Sequence, residues 1–359
     1  MKKVVLTLIL LMALPSFAAA SEMNHFFEGV RPLGMGGAFT AVADDENALF
    51  YNPAGLAKVE SWGMALANPL IESSESNLEF YEDYDDTDTD STAEVLNLLR
   101  DYMGQNSHFR GAVFPHVVMK NFAIGILGQG KGNIKIDNPA YPELNVEAMV
   151  SVSGHMGYSF SLLEEKLLVG VGAKYMSVGF LNQSYTADDI ASSTFDDDLE
   201  DDLLEGSGFG FDLGVMYKLP LPLKPTLGLT VLNVGEVDLA DDAGGAVGTL
   251  PQQINAGVSV ATEFGEEGWI EVIGAADYMD ITNELSEDDD MYKRLHFGVE
   301  AKIPVIAVRA GIYQGYGSFG ATVDFKLIKL DYANYASEVG SYAGSNADRR
   351  HVVQLSLGW

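Results

Sequence analysis

Between residues 146 and 160 the chain alternates with period two. Val146, Ala148, Val150, Val152, Met156, Tyr158 and Phe160 share one parity, and Glu147, Ser151, Ser153, His155 and Ser159 the other. Successive strand side chains point to opposite faces, so this stretch predicts a strand with one apolar and one polar face. The alternation returns over 209–217, 254–260 and 295–303. Counting such stretches predicts about fourteen strands, near 61–69, 107–118, 121–131, 145–160, 166–181, 208–218, 225–235, 252–263, 268–280, 293–303, 305–314, 318–326, 328–336 and 349–359. A soluble sandwich also alternates. The connections separate the two readings, since short ones at 121, 163–165, 219–224, 265–267, 304 and 327 take turns with long acidic ones. A transmembrane barrel requires that arrangement, and it predicts an all-β chain forming an antiparallel barrel.

The first twenty residues carry Lys2 and Lys3, an apolar run over 4–14 and Ala18-Ala19-Ala20. This order is that of a cleaved signal peptide, with the mature chain starting at Ser21. An uncleaved anchor is the alternative, and the short apolar run argues against it. No later stretch approaches the roughly 20 apolar residues of a spanning helix. The 38 glycines and 16 tyrosines suit short strands and tight turns. Cysteine is absent, which removes disulfides, thiolate metal sites and thiol nucleophiles.

The formal net charge of −31 is concentrated in 82–90, 196–202 and 287–290, which read as solvated loops. Its sign excludes nucleic acid as a partner. No metal or other cofactor is expected beyond diffuse divalent cations on these acidic loops, which would relieve their repulsion. The final segment puts Val353, Leu355, Leu357 and Trp359 on one parity. It looks like the C-terminal assembly signal of bacterial outer-membrane barrels, with Leu355, Leu357 and Trp359 as its apolar face. A terminal strand of a soluble sheet could read the same way. An even strand count places both termini on one side, which is the periplasm in such a barrel. Residues 21–60 then precede the first strand and can fold up into the lumen.

That segment contains the most specific motif of the chain. Over 31–56 it combines Gly34, Gly36 and Gly37, a run of small residues, Asp44 and Asp45, and Asn52-Pro53-Ala54-Gly55. The glycines permit positive φ and close backbone approach. Pro53 fixes φ while Asn52 can bond neighbouring amides, so the second part makes a rigid turn. Asp44 and Asp45 could form an acid or metal pair, or cap local amides. A phosphate-binding reading lacks the lysine and hydroxyl residue that should follow the glycines.

In this order the motif resembles the N-terminal plug, or hatch, of FadL-type outer-membrane proteins. That family contains long-chain fatty acid and aromatic hydrocarbon transporters, and related barrels associated with secretion. The resemblance implies a signal peptide over 1–20, a plug over 21–60 and a barrel over 61–359. It implies a channel for hydrophobic molecules in the outer membrane of a Gram-negative-type bacterium, with exit through the side wall. It also implies that Gly36, Gly37, Asn52, Pro53 and Ala54 are structural parts of the gate. At 359 residues the chain also fits the secretion-associated branch, whose members bind or shuttle proteins. The partners implied are the lipid bilayer and lipopolysaccharide, the outer-membrane assembly machinery, a hydrophobic small molecule and, on the second reading, secretion-system proteins.

The residues themselves offer two sets of ligand-binding candidates. Ser91 and Glu94 have capping-box spacing, and Val95, Leu96, Leu98, Leu99 and Met103 follow as a helical stripe. Such a helix could be a landing groove for apolar cargo, or could pack on the barrel rim. Strand parity turns Lys174 and Arg309 toward the lumen together with Glu147, Asp212, Asp277, Glu300 and Asp324. A lumenal cation could anchor a carboxylate, or pair with these acids. The enzyme reading fares poorly, because the six histidines are scattered and no Gly-x-Ser-x-Gly elbow occurs.

Overall fold

The structure is a computed structural model. It describes Met23 and 25–358 apart from 78–82, 84–86, 88–90, 104, 138–140, 142, 191, 193, 194, 196–198, 200, 201, 266–268 and 287–289. The expected signal peptide, Trp359 and most of the three acidic clusters lie outside the described residues. The rest forms a closed antiparallel barrel of 14 strands. In chain order these are β1 (Gly63–Ala67 and Leu70–Ser74), β2 (Asn106–Val113 and His116–Met119), β3 (Phe122–Asp137), β4 (Glu143–Leu162) and β5 (Leu167–Thr186). There follow β6 (Leu204–Lys218), β7 (Thr226–Leu232), β8 (Gln253–Phe264), β9 (Ile270–Tyr278) and β10 (Leu295–Lys302). The last four are β11 (Ile306–Tyr313), β12 (Tyr316–Asp324), β13 (Ile328–Glu338) and β14 (Ala347–Gly358). Closure comes from β1 against β14, with Ile71 opposite Val353 and Ala65 opposite Gly358.

The two-residue period decides which side chains meet which solvent. Val152, Met156, Tyr158 and Phe160 of β4 are exposed on the outer surface, while Ser151, Ser153, His155 and Ser159 are buried inside. Phe209, Phe211, Leu213 and Val215 continue the apolar outer belt on β6, and Leu355 and Leu357 continue it on β14. Pro69 and Pro115 interrupt β1 and β2, as expected of a residue with no amide to give the ladder.

Two regions depart from the expected outline. β3, β4 and β5 run on past the expected ends to 137, 143 and 186. On the outer face of this extension Ile134, Leu144, Val146, Leu181 and Tyr185 are covered by the helix Thr92–Asp101, through Val95, Leu98 and Tyr102. The upper part of the alternating face therefore meets a loop helix. Ser91 stands at the N-cap of that helix without a side-chain cap bond.

The second departure is a hairpin, Val237–Ala240 paired with Ala246–Leu250, inserted between β7 and β8. It lies inside the barrel: a Cβ on Gly208 would come 2.4 Å from Asp238 O and 3.0 Å from Val237 Cγ1. Gly206, Gly208 and Gly210 share the inward parity of Asp212.

Candidate functional site

The lumen is filled by the chain's own N-terminal segment. Helix Val30–Gly34 leads into a turn at Met35, Gly36 and Gly37, and helix Ala48–Tyr51 leads through Asn52 into the 3-10 helix Pro53–Lys58. Gly36 and Gly37 have φ of 65° and 81°, the left-handed region that favours glycine. Asn52 accepts from Ala54 N at 3.1 Å and donates from Nδ2 to Thr40 O at 2.9 Å. Its amide thus closes the Asn-Pro-Ala-Gly turn and ties it to the preceding loop. Leu33, Met35, Phe39 and Leu56 are fully buried in one cluster with wall residues Leu70, Leu127, Leu168 and Met216.

The wall is shaped to receive this backbone. A Cβ on Gly170 would sit 2.2 Å from Ala54 N, one on Gly214 2.0 Å from Asn52 Oδ1, and one on Gly298 2.2 Å from Met35 O. A Cβ on Gly311 would sit 2.5 Å from Gly36 N, and one on Gly320 3.0 Å from Gly34 Cα. These wall glycines lie on strands from β5 to β12, so plug and wall meet backbone to backbone around much of the circumference.

Directed polar contacts complete the seat. Asp277 accepts from the amides of Phe39 and Thr40 at 2.8 and 2.6 Å, and His296 Nδ1 donates to Gly36 O at 2.6 Å. Arg31 is the hub, 2.5 Å from Asp44, 2.7 Å from Asp45 and 2.7 Å from the fully buried Glu300. Arg309 holds the same Glu300 at 2.5 Å, and Lys329 reaches Glu46 at 3.3 Å. Asp44 and Asp45 therefore serve an ionic latch, and Asp45 also accepts from Asn47 N at 2.9 Å. Among the described residues no cluster of three or more acidic or histidine ligands could hold a metal.

Burial opposes the charge on Asp44 and Glu46, yet Arg31 beside Asp44 and Lys329 beside Glu46 hold both carboxyls below their usual range, Glu46 at about 2. Asp45 is pushed upward by burial and by the charge of Glu46.

Cavities of different size lie on the two sides of the plug. At the short-turn mouth lies a cavity of about 1320 Å³ lined by Arg31, Asp44, Lys58, Lys120, Lys218, Glu271 and Lys302 among others. On the other side of the plug is a cavity of about 60 Å³. Phe26, Phe27, Phe50, Leu232, Leu250 and Pro251 line it together with the polar residues His25, Glu28, His155, Lys174, Gln253 and Asn255. Phe50 packs on His155 at 4.8 Å and on Phe27 at 4.5 Å between ring centroids.

The candidate binders from the sequence fall in three places. Lys174 edges the smaller cavity but gives two bonds to Asp212, at 2.7 and 2.9 Å. Arg309 belongs to the plug latch. Leu98 is buried on the outer wall with Met103 packed nearby, and the Leu99 side chain lies outside the described residues. Phe26, Phe27 and Phe50 were not singled out in the sequence. A cluster of phenylalanines flanking the glycine motif was their only signal.

A closed barrel with an apolar outer belt, stoppered by its own N-terminal segment, defines a plugged β-barrel of the membrane-spanning kind. Its fold is that of FadL-type outer-membrane channels. It is similar to a TodX deltaS2S3 mutant monoaromatic hydrocarbon channel, at 12% identity and a TM-score of 0.52, over 92% of this chain and 97% of that one. It is similar to the toluene transporter TbuX of Ralstonia pickettii, at 14% identity and a TM-score of 0.51, over 93% and 99%. A Pseudomonas aeruginosa FadL homologue follows at 12% identity and a TM-score of 0.50, over 95% and 99%. No protein-family model matches the sequence, and no curated protein sequence matches it.

Proposed function

We propose that this protein is an outer-membrane channel for uptake of hydrophobic small molecules, of the fatty-acid-like or aromatic class. The observation that carries the reading is the ring cluster of Phe26, Phe27 and Phe50 that the plug presents at the cavity on its long-loop side. An apolar molecule entering from the long-loop side meets phenylalanines, leucines and a proline against the plug, a lining suited to burying its surface. Straight ahead it meets the ionic latch of Arg31, Asp44, Asp45 and Glu300, which closes the direct path. Exit sideways into the bilayer is the favourable continuation, because apolar cargo partitions into hydrocarbon. In this reading the short-turn mouth and both termini face the periplasm, and the acidic loops hold divalent cations diffusely at the cell surface. The fold likeness to hydrocarbon channels points the same way.

The test is mass spectrometry of molecules retained after mild detergent extraction, together with uptake of labelled toluene and oleate by cells with and without the protein. Retained apolar ligand and protein-dependent uptake are expected. Co-purifying envelope proteins with neither ligand nor uptake would replace this reading with the secretion-associated one.

A further inference from the structure

The inserted hairpin covers an apolar surface of the inner wall, which the plug meets only at its edge, through Phe26. Met149 on β4 and Met176 and Val178 on β5 have the inward parity of Ser151 and Lys174 and sit toward the long-loop side of the small cavity. An open, wet lumen would expose them. Instead they are 7%, 1% and 0% exposed, because Val237 and Leu239 of the hairpin lie over them. Asp238 on the other face of the hairpin and Asp241 and Asp242 at its tip are all exposed. The hairpin is thus amphipathic across its thickness, apolar toward the wall and acidic toward the lumen.

Its attachments are those of a hinged element. Its internal ladder pairs Val237 with Leu250, Asp238 with Thr249 and Leu239 with Gly248, and Asp241 closes the tip by accepting from Ala243 N and Gly245 N. To the wall it has a single ladder pairing, Ala240 with Ser207. One leg enters through Asn233, Gly235 and Glu236, with φ of 53°, 74° and 70°, and the other leaves through Pro251. A two-stranded hairpin held mainly by one apolar face belongs to the low-stability end of a structure. Phe26 and Leu250 belong both to the covered cluster and to the lining of the small cavity, so the covered surface and that cavity are continuous.

We propose that the hairpin 237–250 is a lid over a second apolar binding surface, formed by Met149, Met176 and Val178, which passes uncharged alkyl or aromatic molecules on to the cavity at the plug. The proposal rests on the uptake reading above. Methionine side chains suit such a surface because they repack around ligands of different shape. Lifting the lid replaces an acidic lumenal wall with an apolar one, and lowering it hides that wall from water. Lys174 and Asp212 act here as positioning residues, since Asp212 accepts from the hinge amide of Asn233 at 2.8 Å while paired with Lys174.

A disulfide lock tests this directly, as the chain has no cysteine of its own. A Cβ at Gly206 would lie 3.3 Å from Leu239 Cβ, a few tenths of an ångström inside the spacing of a disulfide. In the oxidised Gly206→Cys/Leu239→Cys variant, peroxide should convert Met149 and Met176 to sulfoxide about tenfold or more slowly than in the wild-type chain. Uptake of toluene by cells should fall in the oxidised variant and return on reduction, while the heat-modifiable barrel band stays unchanged. Equal sulfoxide rates in locked and wild-type protein overturn the lid. Equal uptake by oxidised and reduced variant overturns its role in passage. Slow sulfoxide formation in the locked protein, with no uptake by the wild type, keeps the lid and overturns the uptake reading alone.

Discussion

Replacing Arg31 with alanine removes four charge-assisted hydrogen bonds at once, two to Glu300 and one each to Asp44 and Asp45. Glu300 keeps Arg309, so the uncompensated charge falls mainly on the two plug aspartates. Breaking a buried ion pair from one side costs about 3–5 kcal/mol. Arg31 and its aspartates retain some exposure, 11%, 19% and 20%, so the lower end applies, about 3 kcal/mol. At about 1.4 kcal/mol per factor of ten, the population with this edge of the plug lifted should rise about 10²-fold. The plug should nonetheless stay in place. Leu33, Met35, Phe39 and Leu56 are fully buried, and each contributes about 1.5–3 kcal/mol that the substitution does not touch. The expected phenotype is an intact barrel with frequent small openings in planar-bilayer recordings. Arg31→Lys should fall between, because an ammonium keeps the charge but not the forked geometry. A barrel carrying Arg31→Ala that is as quiet as the wild type would refute the latch.

Three further outcomes follow from the same seat. Gly36→Val combines a left-handed φ with a Cβ 2.4 Å from Phe297 O, and should leave the plug unseated, read as protease cleavage within 30–58 in an assembled barrel. Asn52→Ala should lower the temperature of plug release by removing about 1–2 kcal/mol of capping, with strand content by circular dichroism unchanged. Glu46 is held at about 2 in the seated plug against an ordinary value of about 4.3. Its contribution is therefore complete above about pH 4.3 and lost as the pH falls toward 2, so conductance should rise over that window, and in Glu46→Gln this part of the rise should vanish.

The barrel was legible because its physics is local. Alternation over 146–160 and 209–217, and short turns such as 163–165, fix strands without reference to distant residues. The ends of β3 and β5 were not legible, since Asn182, Gln183 and Ser184 offer no apolar alternation and are held as strand by pairing with β4. The inserted hairpin was hidden for a related reason. Asp238, Asp241, Asp242 and Gly244 read as a solvated loop, and only the wall glycines 206, 208 and 210 make room for Val237 and Leu239. Within the site, the motif at 34–55 disclosed the backbone of the plug. Its partners Glu300, Asp277 and Lys329 lie hundreds of residues away, and no spacing in the chain announces them.

The glycine-lined seat also sets an order of events in biogenesis. The plug comes before the barrel in the chain, yet its footprint includes Gly170, Gly214, Gly298, Gly311 and Gly320, the last within three strands of the end. The seat is complete only when nearly the whole wall has been threaded and closed, and contacts so distant in sequence are slow to find. Met35 and its neighbours, which meet Gly298, Gly311 and Gly320, must wait uncovered until then. A chain stalled before β12 would present them unshielded to chaperones and proteases, so docking of the plug doubles as a signal that the wall is complete.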